Sequence, residues 1–217
     1  ISGAFHSTYV SDVEGYDFSW DWGDGSTQAP AQMPANDLWV TGVYTAKEYK
    51  VSVRNGYDNS SESGIIKELN VRYGEDYSVP VPEKSGYVPY LDGNITTTVS
   101  GTMGAEDVTV TVTYKATSNT LTVIYRYADG SEAYPTETYQ YNTDYKYSIA
   151  VKTLEGYTQS SDGVNPDNGW TTIDGIMTAG GATVVVTYLP NTYKVIFDYN
   201  DGVTVSTEKL VTYNEIY

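Results

Sequence analysis

Four short blocks recur in the same order along this 217-residue chain, and that self-similarity limits its fold more than any single motif does. Tyr49–Val53 returns as Leu121–Tyr125 and again as Tyr193–Phe197, each step spanning 72 residues. Tyr73–Tyr77 returns as Tyr141–Tyr145 and Tyr213–Tyr217. Gly15-Tyr16, Gly86-Tyr87 and Gly156-Tyr157 form a third series. All three methionines, Met33, Met103 and Met177, open a fourth block that closes eleven positions later on Tyr44, Tyr114 and Tyr188.

Inside each unit the period is two. In Val108-Thr109-Val110-Thr111-Val112-Thr113-Tyr114 the valines and tyrosine share one face and the threonines the other, as in a half-buried strand. Ala182, Val184, Val186 and Tyr188 repeat that face, as do Leu38, Val40 and Tyr44 around Gly42. The opening strand, with Leu121, Val123, Tyr125 and Tyr127 inward, runs into Asp129-Gly130, and its counterpart into Asp201-Gly202, both good hairpin turns. No stretch carries helical periodicity over ten residues; Ile65–Leu69 is too short and lies where the other units read as strand. The reading is a mainly β chain of tandem units of about 70 residues, each with a small core.

The blocks divide the chain into 1–46 (the second half of a repeat), 47–116, 117–190, and 191–217 (the first strands of a repeat). Links this short, one stiffened by Pro190, imply an elongated, semi-rigid rod with roughly 20–30 Å per unit. The phase implies either a longer array cut between blocks or a folding unit permuted relative to them, and a longer parent protein. On the first reading, incomplete terminal repeats expose strand edges, which invite head-to-tail self-association.

Composition removes several function classes. Lys+Arg 12 against Asp+Glu 28 gives a formal charge of −16, which repels phosphate backbones and anionic lipid, so a nucleic-acid partner is not expected. No run approaches the roughly 18 apolar residues of a membrane span, so no membrane insertion is expected in this segment, and any anchor would lie outside it. Without cysteine there is no disulfide, thiolate metal site or cysteine nucleophile. The single histidine, His6, stands where the other units have Tyr77 and Tyr145, and reads as structural. No phosphate loop or nucleophile elbow occurs, and no carboxylate pair recurs beside a cleft. The chain reads as non-enzymatic, with no catalytic residue, no cofactor and no metal site. Asp21–Gly25 and Asp198–Gly202 offer hard oxygens for calcium, but lack a terminal glutamate and read as turns.

Aromatic residues are the best candidates for contact, because sugars stack on flat π faces through their C–H groups. Trp20 and Trp22 alternate onto one side of a strand, Trp39 faces away from Leu38 and Val40, and Trp170 lies in an extra-long segment between Tyr157 and Met177. Tyr90 is a further platform. The competing reading of each is cross-strand packing. Leu189-Pro190-Asn191-Thr192-Tyr193 has tyrosine where a sortase signal needs glycine, so it reads as a linker.

With these blocks in hand, residues 119–190 resemble a mucin-binding-protein (MucBP) repeat of Gram-positive surface adhesins. The carrying residues are the Ala128-Asp129-Gly130-Ser131 turn, Tyr145, Glu155-Gly156-Tyr157, Gly175-Ile176-Met177 and the Val/Thr strand ending at Tyr188. Residues 47–114 are similar, through Ser85-Gly86-Tyr87 and Gly101-Thr102-Met103. The first segment is similar to the related Listeria–Bacteroides repeat of internalins, through Gly15-Tyr16-Asp17-Phe18 and Met33 to Tyr44, although Ser19-Trp20 departs from its usual Gly-Trp. The resemblance implies β-grasp-like units in an extracellular adhesin of the cell surface or wall, with host glycoprotein or mucin as partner. It brings no shared ligand-contact motif. Two other expectations stand beside it: a purely structural spacer, and an accessory module of a secreted glycan-acting enzyme.

Overall fold

The computed structural model describes residues 12–23, 25–32, 34–161 and 170–216. The chain divides into two compact units: Ile1–Lys84 with Val88–Lys115, and Ser85–Tyr87 with Ala116–Tyr217. His6 and Met33 lie outside the described residues.

In the first unit, β1 (Tyr16–Asp21) and β2 (Thr41–Ala46) form an antiparallel pair, with Trp20 opposite Gly42. The next repeat comprises β3 (Glu48–Tyr57), β4 (Ser63–Arg72), β5 (Asp76–Pro80), β6 (Tyr87–Leu91), β7 (Asn94–Ile95), β8 (Thr98–Thr102) and β9 (Val108–Ala116). Its main sheet runs β4-β3-β9-β6-β7, and β5 pairs with β8 separately. The central strands β3 and β9 are parallel, from Val51↔Val108 to Tyr57↔Tyr114. The Val/Thr alternation does what period two requires: Val51, Val53, Val112 and Tyr114 are buried with Met103 and Val99.

The second unit repeats this order with β10 (Ser118–Tyr127), β11 (Glu132–Asn142), β12 (Lys146–Ala150), β13 (Tyr157–Ser160), β14 (Thr172–Ile176) and β15 (Ala182–Pro190). Its main sheet is β11-β10-β15-β13, with β10 and β15 parallel, while β12 pairs with β14. Leu121, Val123, Tyr125, Ile149, Ile173, Met177, Val186 and Tyr188 form one buried cluster. A parallel central pair flanked by antiparallel strands is the strand order of a β-grasp. A β-ladder (β5–β8 or β12–β14) stands in each crossover, and the described residues contain no helix. β16 (Thr192–Phe197) and β17 (Thr207–Thr212) then form a two-stranded ladder.

The register corrects two of the sequence alignments. Glu48↔Arg72, Ser118↔Asn142 and Thr192↔Thr212 are equivalent pairs, so Tyr49 answers to Asn119 and Tyr193, in steps of 70 and 74 residues rather than two of 72. Likewise Tyr73 answers to Thr143, not Tyr141, and Tyr77 to Tyr147, not Tyr145. Gly74, Asp144 and Asn214 all hold positive φ at the matching step, and Tyr77 and Tyr147 lie across Gly101 and Gly175. A slip of two leaves every side chain on its own face, so alternation alone does not detect it.

A hydrogen-bond relay recurs three times. In the first unit Lys47 N–H donates to the Gly15 carbonyl (2.8 Å) and Tyr73 N–H to the Lys47 carbonyl (2.8 Å). In the second, Thr117 donates to Gly86 (2.8 Å) and Thr143 to Thr117 (2.9 Å), then Asn191 to Gly156 and Tyr213 to Asn191 (both 2.8 Å). Glycine is required because φ is 77–80° at each of the three, and because a Cβ at Gly15 or Gly156 would fall inside the ring of Tyr73 or Tyr213. The following tyrosines meet those rings edge-on, Tyr16–Tyr73 and Tyr157–Tyr213 both at 5.4 Å. Where threonine replaces the receiving tyrosine, the Tyr87 hydroxyl donates to Asp144 instead (2.7 Å).

Candidate functional site

The loop after β1 is shaped by Asp21. Its Oδ1 accepts the N–H groups of Gly23 (2.9 Å) and Gly25 (3.0 Å), and Trp22 N–H closes the turn on the Ser26 carbonyl (3.0 Å). This turn and the segment leading into β2 form an open cleft of about 630 Å³, lined by Trp22, Ser26, Gln28, Asp37, Leu38 and Trp39 among others. Trp22 is half-buried, whereas Trp39 is 82% exposed while its neighbours Leu38 and Val40 are half-buried. An exposed indole beside hydroxyl, amide and carboxylate groups can stack a neutral sugar and hydrogen-bond its hydroxyls.

The other candidate residues lie elsewhere. Trp20 packs edge-on against Phe18 at 5.0 Å and 88°, and Phe18 against Tyr44 at 5.0 Å, in a cross-strand aromatic row over Gly42. Tyr90 is half-buried on β6, with the Lys115 ammonium 4.3 Å from its ring centroid. Trp170 belongs to the second unit, half-buried against the core cluster, its backbone N–H donating to the Gln159 carbonyl (2.9 Å). The structure therefore brings Trp22 and Trp39 to one cleft and leaves Trp20, Tyr90 and Trp170 in separate packing environments.

Two groupings in the third repeat were not singled out from the sequence. Tyr139, Tyr141, Tyr145 and Tyr147 stack with near-parallel rings, Tyr141 lying 5.5 Å from Tyr145 and 5.4 Å from Tyr147. The alternation Tyr139-x-Tyr141 and Tyr145-x-Tyr147 was the available signal. Beside it, Glu137 Oε1 meets the Lys152 ammonium (2.7 Å), and Oε2 accepts the hydroxyls of Tyr125 and Tyr139 (both 2.9 Å). The Lys152 ammonium, reinforced by those hydroxyls, holds the Glu137 carboxyl below its ordinary range. Burial, then the Glu137 contact, pushes the Tyr125 hydroxyl up, and burial does the same to Tyr188. A carboxylate held ionised and phenols held neutral make a structural network, not an acid–base pair.

Among the described residues no group of three His, Cys, Asp or Glu side chains could hold a metal ion. The calcium candidates direct their oxygens into turns. Asp21 serves Gly23 and Gly25, and Asp201, its carboxyl lowered to about 2 by the Thr204 hydroxyl and by backbone N–H groups, serves Val203 and Thr204. No helix among the described residues is long and apolar enough to cross a membrane.

No family model and no curated protein matches the chain. Among solved structures it is similar to the type 2 repeat of the mucus binding protein MUB from Lactobacillus reuteri. That match has 15% identity and a TM-score of 0.28, over 66% of this chain and all of that one. Mub-RV matches at 17% identity and TM-score 0.24, over 65% of this chain and all of that one. The Bacillus anthracis TIE protein matches at 10% identity and TM-score 0.39, over 82% of this chain and 48% of that one.

Proposed function

We propose that the chain is a non-enzymatic repeat segment of a bacterial cell-surface adhesin of the MucBP type, and that its first unit contacts neutral host glycans through the Trp22–Trp39 cleft. The observation that carries this reading is the indole of Trp39, 82% exposed on the wall of an open cleft that also holds Trp22. Burying such a surface is favourable, and nothing in the second and third repeats asks for tryptophan there, since Thr109 and Thr183 hold the equivalent positions. The ligand class follows from charge. A chain of formal charge −16 disfavours sialylated or sulfated glycans, so weak contacts to neutral sugars, multiplied along an array, are the mode that fits.

The test is binding of the monodisperse chain to immobilised mucin, before and after glycosidase treatment. Signal lost on deglycosylation and on Trp39→Ala supports the reading; signal indifferent to both contradicts it. Residual acidic repulsion predicts stronger binding as ionic strength rises. A second reading, a spacer that carries another domain, is favoured by the thrice-repeated relay, which orders linkers without offering a ligand site. Absence of mucin binding at high micromolar concentration would select it.

A further inference from the structure

We propose that the corner between Tyr127 and Tyr157 in the third repeat, with the Asp129 carboxylate on its rim, binds a methylated ammonium group of the choline type. Three strand ends build it. Tyr127 closes β10 opposite Tyr188 of β15, and Tyr157 opens β13 opposite Pro190. Period two puts Tyr127 on the face of the buried Tyr125, at the margin of the core cluster, where it is half-buried. The rings of Tyr127 and Tyr157 lie 5.3 Å apart with their planes at 56°. They line an open cleft of about 410 Å³ together with Ala128, Pro190 and the buried Tyr188. The β10–β11 turn sets the rim. Tyr127 N–H donates to the Ser131 carbonyl (2.8 Å), and Asp129 Oδ1 accepts both the N–H (2.9 Å) and the hydroxyl (2.6 Å) of Ser131. Those bonds hold the Asp129 carboxyl below its ordinary range and leave Oδ2 without a partner among the described residues.

The chain itself shows what such a tyrosine face takes. Tyr57, paired with Tyr114 as Tyr127 is with Tyr188, carries the Lys84 ammonium 3.9 Å from its ring centroid. Lys115 covers Tyr90 at 4.3 Å and Lys152 covers Tyr125 at 5.0 Å. Counted from Gly86 and Gly156, the counterpart of Lys84 is Leu154, which is uncharged and packs half-buried against the core. The third repeat therefore keeps the ring and omits the cation, and it has Asp129 where the second has Asn59. Arg126 does not fill the corner. By alternation it leaves β10 on the other face and lines a neighbouring cleft with Ser161 and Thr187, and no ion pair joins it to Asp129 among the described residues. A formal charge of −16 draws cations in general, and the walls select among them. Ring faces, alanine and proline side chains offer no acceptor to the N–H groups of a primary ammonium. A trimethylammonium group has no such groups to satisfy and presents its methyls to the rings.

The test is a titration of the full chain with choline chloride at constant ionic strength, followed by amide and aromatic NMR signals. Those of Tyr127, Asp129 and Tyr157 should shift and saturate with a Kd of roughly 1–10 mM, while those of Tyr57, whose face already holds Lys84, stay in place. Dimethylbutanol, the uncharged carbon isostere of choline, should give no saturating shift, and acetyl-lysine amide should bind several-fold more weakly than choline. Tyr127→Leu keeps apolar bulk without a ring and should weaken choline binding roughly three- to thirtyfold, whereas Tyr127→Phe should retain it. Asp129→Asn keeps an acceptor for Ser131 and removes only the charge, so a loss of about threefold or more is expected. Where far-UV dichroism reports that Tyr127→Leu is misfolded, Asp129→Asn on its exposed turn carries the test. Equal response to the isostere, no saturation by choline, tighter binding of the lysine derivative, or choline binding untouched by Asp129→Asn overturns the proposal. The titration reads the third repeat and mucin capture reads the Trp22–Trp39 cleft, so either proposal can fail without the other.

Discussion

The hairpins β10–β11 and β16–β17 begin from the same alternating strand, yet one lies at the centre of a core and the other lies open. Leu121, Val123 and Tyr125 are almost fully buried, whereas Ile196 and Phe197 are 57% and 46% exposed and only Val211 of the later ladder is buried. The difference is not in the pattern but in the arrival of β15, which brings Val186 and Tyr188 onto the opening strand. Alternation encodes a face, and a parallel partner converts that face into an interior.

Core truncation should separate the hairpins most. Leu121→Ala removes a fully buried side chain and should destabilise the second unit by about 2–5 kcal/mol in urea unfolding, whereas Val195→Ala should cost less than about 1 kcal/mol. The relay comes next. Gly156→Ala would drive a Cβ into the Tyr213 ring at positive φ and should cost about 1–3 kcal/mol. Gly202→Ala shares the positive φ but meets nothing within 4 Å, so about 1 kcal/mol is expected. Equal losses at the two glycines would remove the relay from the account.

The two intact repeats should also part company with pH. Glu137 is ionised more readily folded than unfolded, so its stabilisation is complete above the usual glutamate pKa of about 4.3 and drains away as pH falls through the lowered folded value. The second repeat has Asn55, Lys67 and Pro82 where the third has Tyr125, Glu137 and Lys152, so this acid limb belongs to the second unit alone. Lys152→Met should flatten it in melts recorded across acidic pH. At alkaline pH both units should weaken. Tyr114, Tyr125 and Tyr188 are all raised by burial, so the stability they contribute is intact below about 10 and lost as pH rises toward their folded values. The smallest effect is expected for Glu68→Gln, whose partner Lys50 is also largely solvated; replicate melts should not resolve it.

Strand positions were legible because Val/Thr alternation fixes a face, and the exposure of Trp39 followed from the same rule applied to Leu38 and Val40. Register was less legible: Tyr139, Tyr141, Tyr145 and Tyr147 offer several equivalent ways to lay one repeat on another, and only positive φ and pairing partners choose. The relay was hidden because its bonds are backbone to backbone, between residues 22 to 35 positions apart. The placement of Trp170 against a core, and of Lys115 over Tyr90, depends on packing between distant strands that no local pattern encodes. The cleft itself needed the Asp21 turn to bring Trp22 toward Trp39, which spacing along the chain does not reveal.

The most direct measurement is backbone hydrogen exchange on the full chain, comparing residues 121–125 with 193–197. If a parallel partner is what turns an open strand into an interior one, the first set is strongly protected and the second exchanges much faster. Equal protection of the two sets would contradict the account.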